Sequence, residues 1–67
     1  MITYIGKSVR EQKGYSIRRL SEISTIAKST IWKWENGQAM PDLRLLDIIA
    51  CSLDCEPWDL IIFEKEN

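Results

Sequence analysis

Apolar residues recur every three or four positions through most of this chain, the spacing that gives a helix one oily face. Ile2, Ile5 and Val9 form such a stripe and predict a first helix over roughly Ile2 to Lys13, stopped by Gly14. A second helix opens at Ser16, a favourable N-cap, with Tyr15 and Leu20 at the two positions of a hydrophobic staple. A third covers Lys28 to Glu35. There Ala27, Ile31 and Trp34 fall within one arc and are expected to face the core, while Lys28, Ser29, Trp32, Lys33 and Asn36 fall opposite. Gly37 ends that helix. Pro41 precedes a fourth, capped by Asp42 and running to about Leu53. Its Leu45, Leu46, Ile48, Ile49, Ala50 and Leu53 cover more than half the circumference, so it is central or it also meets a partner. Pro57 opens a fifth helix containing Trp58, Leu60, Ile61 and Phe63. No stretch alternates as a strand would. The expected fold class is therefore all-α, a compact bundle of five helices, with residues 1–67 forming a single domain.

Composition narrows the functional classes. The chain has no histidine and two cysteines, Cys51 and Cys55, so His-assisted catalysis is excluded and the metal-ligand set is weak. No metal, cofactor, small-molecule ligand or enzymatic activity is expected. The thiols are read as small apolar side chains, with a regulatory disulfide as the alternative. No apolar run approaches the roughly 18–20 residues that span a bilayer. The first residues, Met1 to Tyr4, lack the basic and apolar regions of an export signal, and a cytoplasmic location is expected.

The net charge of −1 conceals a polarity along the chain. Before Glu35 stand Lys7, Arg10, Lys13, Arg18, Arg19, Lys28 and Lys33 against Glu11 and Glu22. From Glu35 onward, Arg44 and Lys65 face eight acids. Such a dipolar domain can present one positive face to nucleic acid. Arg18 and Arg19 sit in the first turn of helix two, where the helix dipole disfavours cations. They are either neutral surface choices or they face an external anion.

Arg10, Ser16, Leu20, Ile31, the run Trp34-Glu35-Asn36-Gly37, Pro41 and the apolar helix from Leu45 to Leu53 together resemble the lambda-repressor-like helix-turn-helix family of phage repressors and Cro proteins. The resemblance covers nearly the whole chain. It implies a small helical bundle whose second motif helix lies in the major groove of duplex DNA. By position, it implies base contacts from Ile17, Lys28, Ser29 and Lys33. Phosphate contacts would come from Ser16, Asn36 and Gln38, with Arg18 as an additional basic candidate. The family's paired arginine and glutamate correspond to Arg10 and Glu35, expected as a buried ion pair. The sequence departs from the family at Thr25, where the turn usually holds Gly, and at Ala27, where a Ser or Thr usually caps the recognition helix.

The expected function is a sequence-specific transcriptional regulator, a repressor reading the groove with helix 28–35. The alternative is a protein-interaction or antitoxin-type helix-turn-helix module. Trp32 lies within the polar arc, where it flanks DNA, packs on helix two or meets a partner protein; Trp58 belongs to the core or an interface. Four consecutive apolar residues, Leu60, Ile61, Ile62 and Phe63, cannot all face one helical stripe. They predict a homodimer, the alternative being a lid over helix one.

Overall fold

Two of the helices begin by the same chemistry. In the computed structural model, which describes residues 1–65, Ser16 Oγ accepts from the Arg19 N–H at 3.0 Å and Asp42 Oδ1 from the Leu45 N–H at 2.9 Å. Each side chain satisfies a donor that the first helical turn leaves without a partner. Two glycines end helices by the complementary device. Gly14 and Gly37 take φ of +79° and +72°, a region open to Gly at little cost. The following residues close paired turns, Tyr15 N–H onto Arg10 C=O at 3.1 Å and Gln38 N–H onto Lys33 C=O at 2.9 Å.

The resulting order is β1 (Ile2–Tyr4), α1 (Gly6–Gln12), α2 (Ile17–Ser24), α3 (Lys28–Glu35), α4 (Leu43–Ser52), a 3-10 turn (Pro57–Leu60) and β2 (Ile61–Phe63). The architecture is mostly helical, with four α-helices and a small two-stranded sheet among the described residues. Five helices were expected, and both ends of the chain depart from that. Residues 2–4 leave the first helix and pair antiparallel with residues 61–63, in the register Ile2↔Phe63, Thr3↔Ile62, Tyr4↔Ile61. The Ile5 N–H to Leu60 C=O bond at 2.7 Å fastens the inner end of this ribbon. Three-residue strands are too short for alternation to show in the sequence, but Ile, Thr, Tyr and Phe all suit extended backbone. Pro57 and the reciprocal Glu56–Asp59 capping box do start a helical turn, which stops at Leu60 as β-branched Ile61 and Ile62 turn into the ribbon. That resolves the crowding of four apolar residues. Leu60 is fully buried, Ile61 half-buried, and Ile62 and Phe63 exposed, so Leu60 belongs to this chain's own core rather than to a dimer surface, and Ile61 packs partly against that core.

The core comprises Tyr4, Leu20, Ile31, Trp34, Leu46, Ile49, Ala50, Leu53 and Leu60, with Val9, Tyr15, Ile17, Leu45 and Ile61 packed against it. α4 is central. One expectation fails here and another is narrowed. Ala27 is exposed, because it is the non-helical cap of α3 rather than part of its inner stripe. Of the two places expected for Trp58, core or interface, its exposure on the 3-10 turn removes the core. Tyr4 joins the core from β1, meeting Trp34 edge to face with ring centroids 6.2 Å apart.

Tyr4 makes an exacting demand on its neighbour. A Cβ at Gly6 would overlap the phenol ring and hydroxyl, so only glycine fits at the start of α1. The Tyr4 hydroxyl is buried without a hydrogen-bond partner among the described residues. Burial, with Glu35 nearby, pushes its pKa well above the ordinary tyrosine value. A raised folded-state value means that this contribution is intact at neutral pH. It is lost as pH climbs past about 10, the unfolded phenol's value, towards the folded one. Gly6→Ala is expected to lower the melting temperature by 10 °C or more, an order-of-magnitude figure for overpacking. Tyr4→Phe should instead stabilise by about 1 kcal/mol and soften the alkaline loss. Thermal melts of both variants from neutral pH into the alkaline range check this. Destabilisation of Tyr4→Phe by more than about 1 kcal/mol would mean that the hydroxyl has a partner.

Candidate nucleic-acid interface

Arg10, near the end of α1, reaches across to Glu35, the last residue of α3. Its Nε donates to Glu35 Oε2 at 2.8 Å and its NH2 nitrogen to Oε1 at 3.0 Å, a two-pronged pair that fixes direction as well as distance. The remaining prong, NH1, donates to the Tyr15 carbonyl at 2.7 Å, in the link leading to α2. The side chains are 9% and 2% exposed. One guanidinium therefore ties together the end of α1, the approach to α2 and the C-terminal end of α3. The Glu35 hydrogen bonds hold Arg10 further above its already high pKa, so the cation persists at any physiological pH.

The turn between α2 and α3 is set by two serines on α2. Ser24, itself buried, accepts from the Ile26 N–H at 3.2 Å, and the Ser21 hydroxyl donates to the Ile26 carbonyl. The chain reverses at Thr25, whose φ of 62° is left-handed, a conformation costly for a β-branched residue. Strain therefore sits at the turn between the two helices. Ala27 offers no side-chain acceptor to cap α3. The sequence does not reveal this role: Ser21 reads there as a volume-conserving replacement for the common Ala, and Ser24 as one more polar residue near a helix end.

With Ile31 and Trp34 turned inward, α3 presents Lys28, Ser29, Trp32, Lys33 and Asn36 outward, all exposed. Neither lysine makes an ion pair among the described residues. The Asn36 amide donates back to the Trp32 carbonyl at 2.9 Å, closing the helix end, and Gln38 is exposed just beyond. On α2, Ser16 is the cap and Ile17 is half-buried against the core, so only part of the Ile17 side chain remains available. Arg18 and Arg19 lie loosely against Glu22 at 4.0 and 3.8 Å, with Arg18 80% exposed. Such exposed pairs contribute little and open readily for a stronger anion. The structure thus gathers Lys28, Ser29 and Lys33 on one helix face, sets Asn36 and Gln38 at its C-terminal end, and leaves Ser16 and Arg18 at the start of the neighbouring helix.

Compared with protein-family models, residues 7–59 match the family described as helix-turn-helix, most of the chain from α1 through the 3-10 turn. The chain belongs to the lambda-repressor-like helix-turn-helix family. No curated protein matches it significantly. The domain is a DNA-binding helix-turn-helix regulator, of a family not typically enzymatic. Among the described residues no helix is long and apolar enough to cross a membrane. The ribbon-forming residues 2–4 and 61–63 lie outside the matched region.

In this helix-turn-helix domain the Arg10–Glu35 pair is buried enough for its loss to be severe. Arg10→Ala or Glu35→Ala leaves the other charge unpaired and should cost roughly 3–5 kcal/mol. Replacing both together, by Met and Leu, should be milder than either single change, because no charge is then stranded. Melting temperatures of the three variants decide the matter. Single alanines within two or three degrees of the parent would mean that the pair carries no stability.

Proposed function

We propose that this chain is a sequence-specific repressor that lays α3 in the major groove, with Lys28, Ser29 and Lys33 at base edges. The reading is carried by one observation. Two lysines and a serine leave the same side of α3, opposite its buried Ile31 and Trp34, and the lysines have no intramolecular counter-charge among the described residues. Lysine suits the two acceptors on guanine, and the serine hydroxyl can donate or accept. Ser16, Arg18, Asn36 and Gln38 are proposed to grip phosphates on either side and so fix the register of α3. Ile17, half-buried, takes at most an apolar contact at the edge of the site.

We also propose that the domain acts as a homodimer. Met1, Ile2, Ile62 and Phe63 form an exposed apolar ribbon end, and the outer strand edges have no partner among the described residues. A twofold pair would set two recognition helices about 34 Å apart on a pseudo-palindromic site. Phe63→Glu should then hold the chain monomeric and weaken operator binding. Light scattering that finds the parent monomeric up to high concentration, with one-to-one binding to its selected site, would remove the dimer.

The DNA contacts separate by substitution. Lys33→Ala should cost about 1–3 kcal/mol on the preferred site and relax the choice at one base pair per half-site. Arg18→Ala should weaken all sequences alike and flatten the salt dependence by about one unit per protomer. Both variants should melt with the parent. Equal binding of cognate and random duplex by the parent and Lys33→Ala alike would favour a protein-interaction or antitoxin-type module instead.

A further inference from the structure

Trp32 is the side chain on the outward face of α3 that the lysine and serine contacts leave without a role. It lies at the middle of that face, one turn beyond Lys28 and Ser29, one turn before Asn36, and next to Lys33. It remains 47% exposed, while Trp34, two residues on, is 4% exposed within the core. The core therefore does not claim it. Its surroundings are cationic and polar, and its own carbonyl is already taken by Asn36.

The indole has an apolar surface and a single N–H donor, with no acceptor. Each base offers a different complement in the major groove. Cytosine presents an amino donor, which the indole cannot accept. Adenine presents an acceptor beside a donor that would go unpaired, and guanine presents two acceptors and nothing apolar. Thymine alone places an acceptor, O4, beside an apolar C5-methyl. We propose that Trp32 is a specificity-determining residue that reads thymine, its ring against the C5-methyl and its N–H directed to O4. This rests on the placement of α3 in the groove proposed above. It adds that the preferred site carries a thymine near the centre of each half-site.

The test uses the full chain and duplexes it selects from a random pool at low salt. Each thymine of the selected site is replaced in turn by deoxyuridine, which removes the methyl and nothing else. At one thymine per half-site the parent should bind about fourfold more weakly, the effect of one buried methyl-sized group. Trp32→Ala should melt with the parent, prefer no base at that position, and bind the thymine and deoxyuridine duplexes equally. Trp32→Phe, which keeps an aromatic ring, should retain sensitivity to the methyl. Lys33→Ala should relax the choice at a different base pair and keep the thymine effect. If the parent selects a site yet tolerates deoxyuridine everywhere, or if Trp32→Ala keeps the same thymine preference, the Trp32 assignment falls and the groove reading survives. If the parent selects no duplex at all, both fall together, and Trp32 becomes part of a protein-binding face.

Discussion

A single guanidinium sets the geometry on which the rest of this domain depends. Arg10 holds both oxygens of Glu35 and the carbonyl of Tyr15, so α1, the start of α2 and the end of α3 meet at one side chain. Hydrophobic packing alone is non-directional; it would bury Ile31 and Trp34 in several orientations of α3 at similar gain. A two-pronged ion pair at the C-terminal end of α3 accepts only one. The outward face of α3 is then fixed as the complement of the face that Arg10, Ile31 and Trp34 hold inward. Burying two charges stabilises little by itself and is best understood as a choice of register.

The ribbon at the chain ends closes the other side of the same core. Tyr4 brings its ring against Trp34 and Leu60 brings its side chain fully inside, so the termini contribute to the layer that backs α3. That arrangement forces glycine at position 6 and leaves the Tyr4 hydroxyl without a partner among the described residues, a local cost offset by the area its ring buries. Two short strands thus help to close a small core.

How much of this was legible in the sequence depended on whether a residue's environment is local. Ser16 and Asp42 as caps, Gly14 and Gly37 as stops, and Ile31 and Trp34 as inner residues follow from rules that span one or two turns, and the structure agrees with each. Residues 2–4 and 61–63 depend on each other across the whole chain, and three residues carry too little periodicity to reveal a strand. Ala27 reads as an inner residue, and Trp58 as core or interface, for a related reason: an apolar side chain beside a helix start passes for core until the three-dimensional path shows it turned out. Of the outward face, the two lysines and Ser29 could be read from helical spacing, whereas the Ser24 and Ser21 clamp on the turn could not, because its partner is a backbone group defined only once the chain reverses.

The central claim is that α3, oriented by Arg10 and Glu35, offers its outward face to duplex DNA. Amide chemical shifts recorded while duplex DNA is added to the labelled protein test it most directly. The account predicts the largest changes at residues 28–36 and at Ser16 to Arg18, with the ribbon and the second half of α4 nearly still. Changes concentrated on α4 and the ribbon, with α3 unmoved, would contradict it.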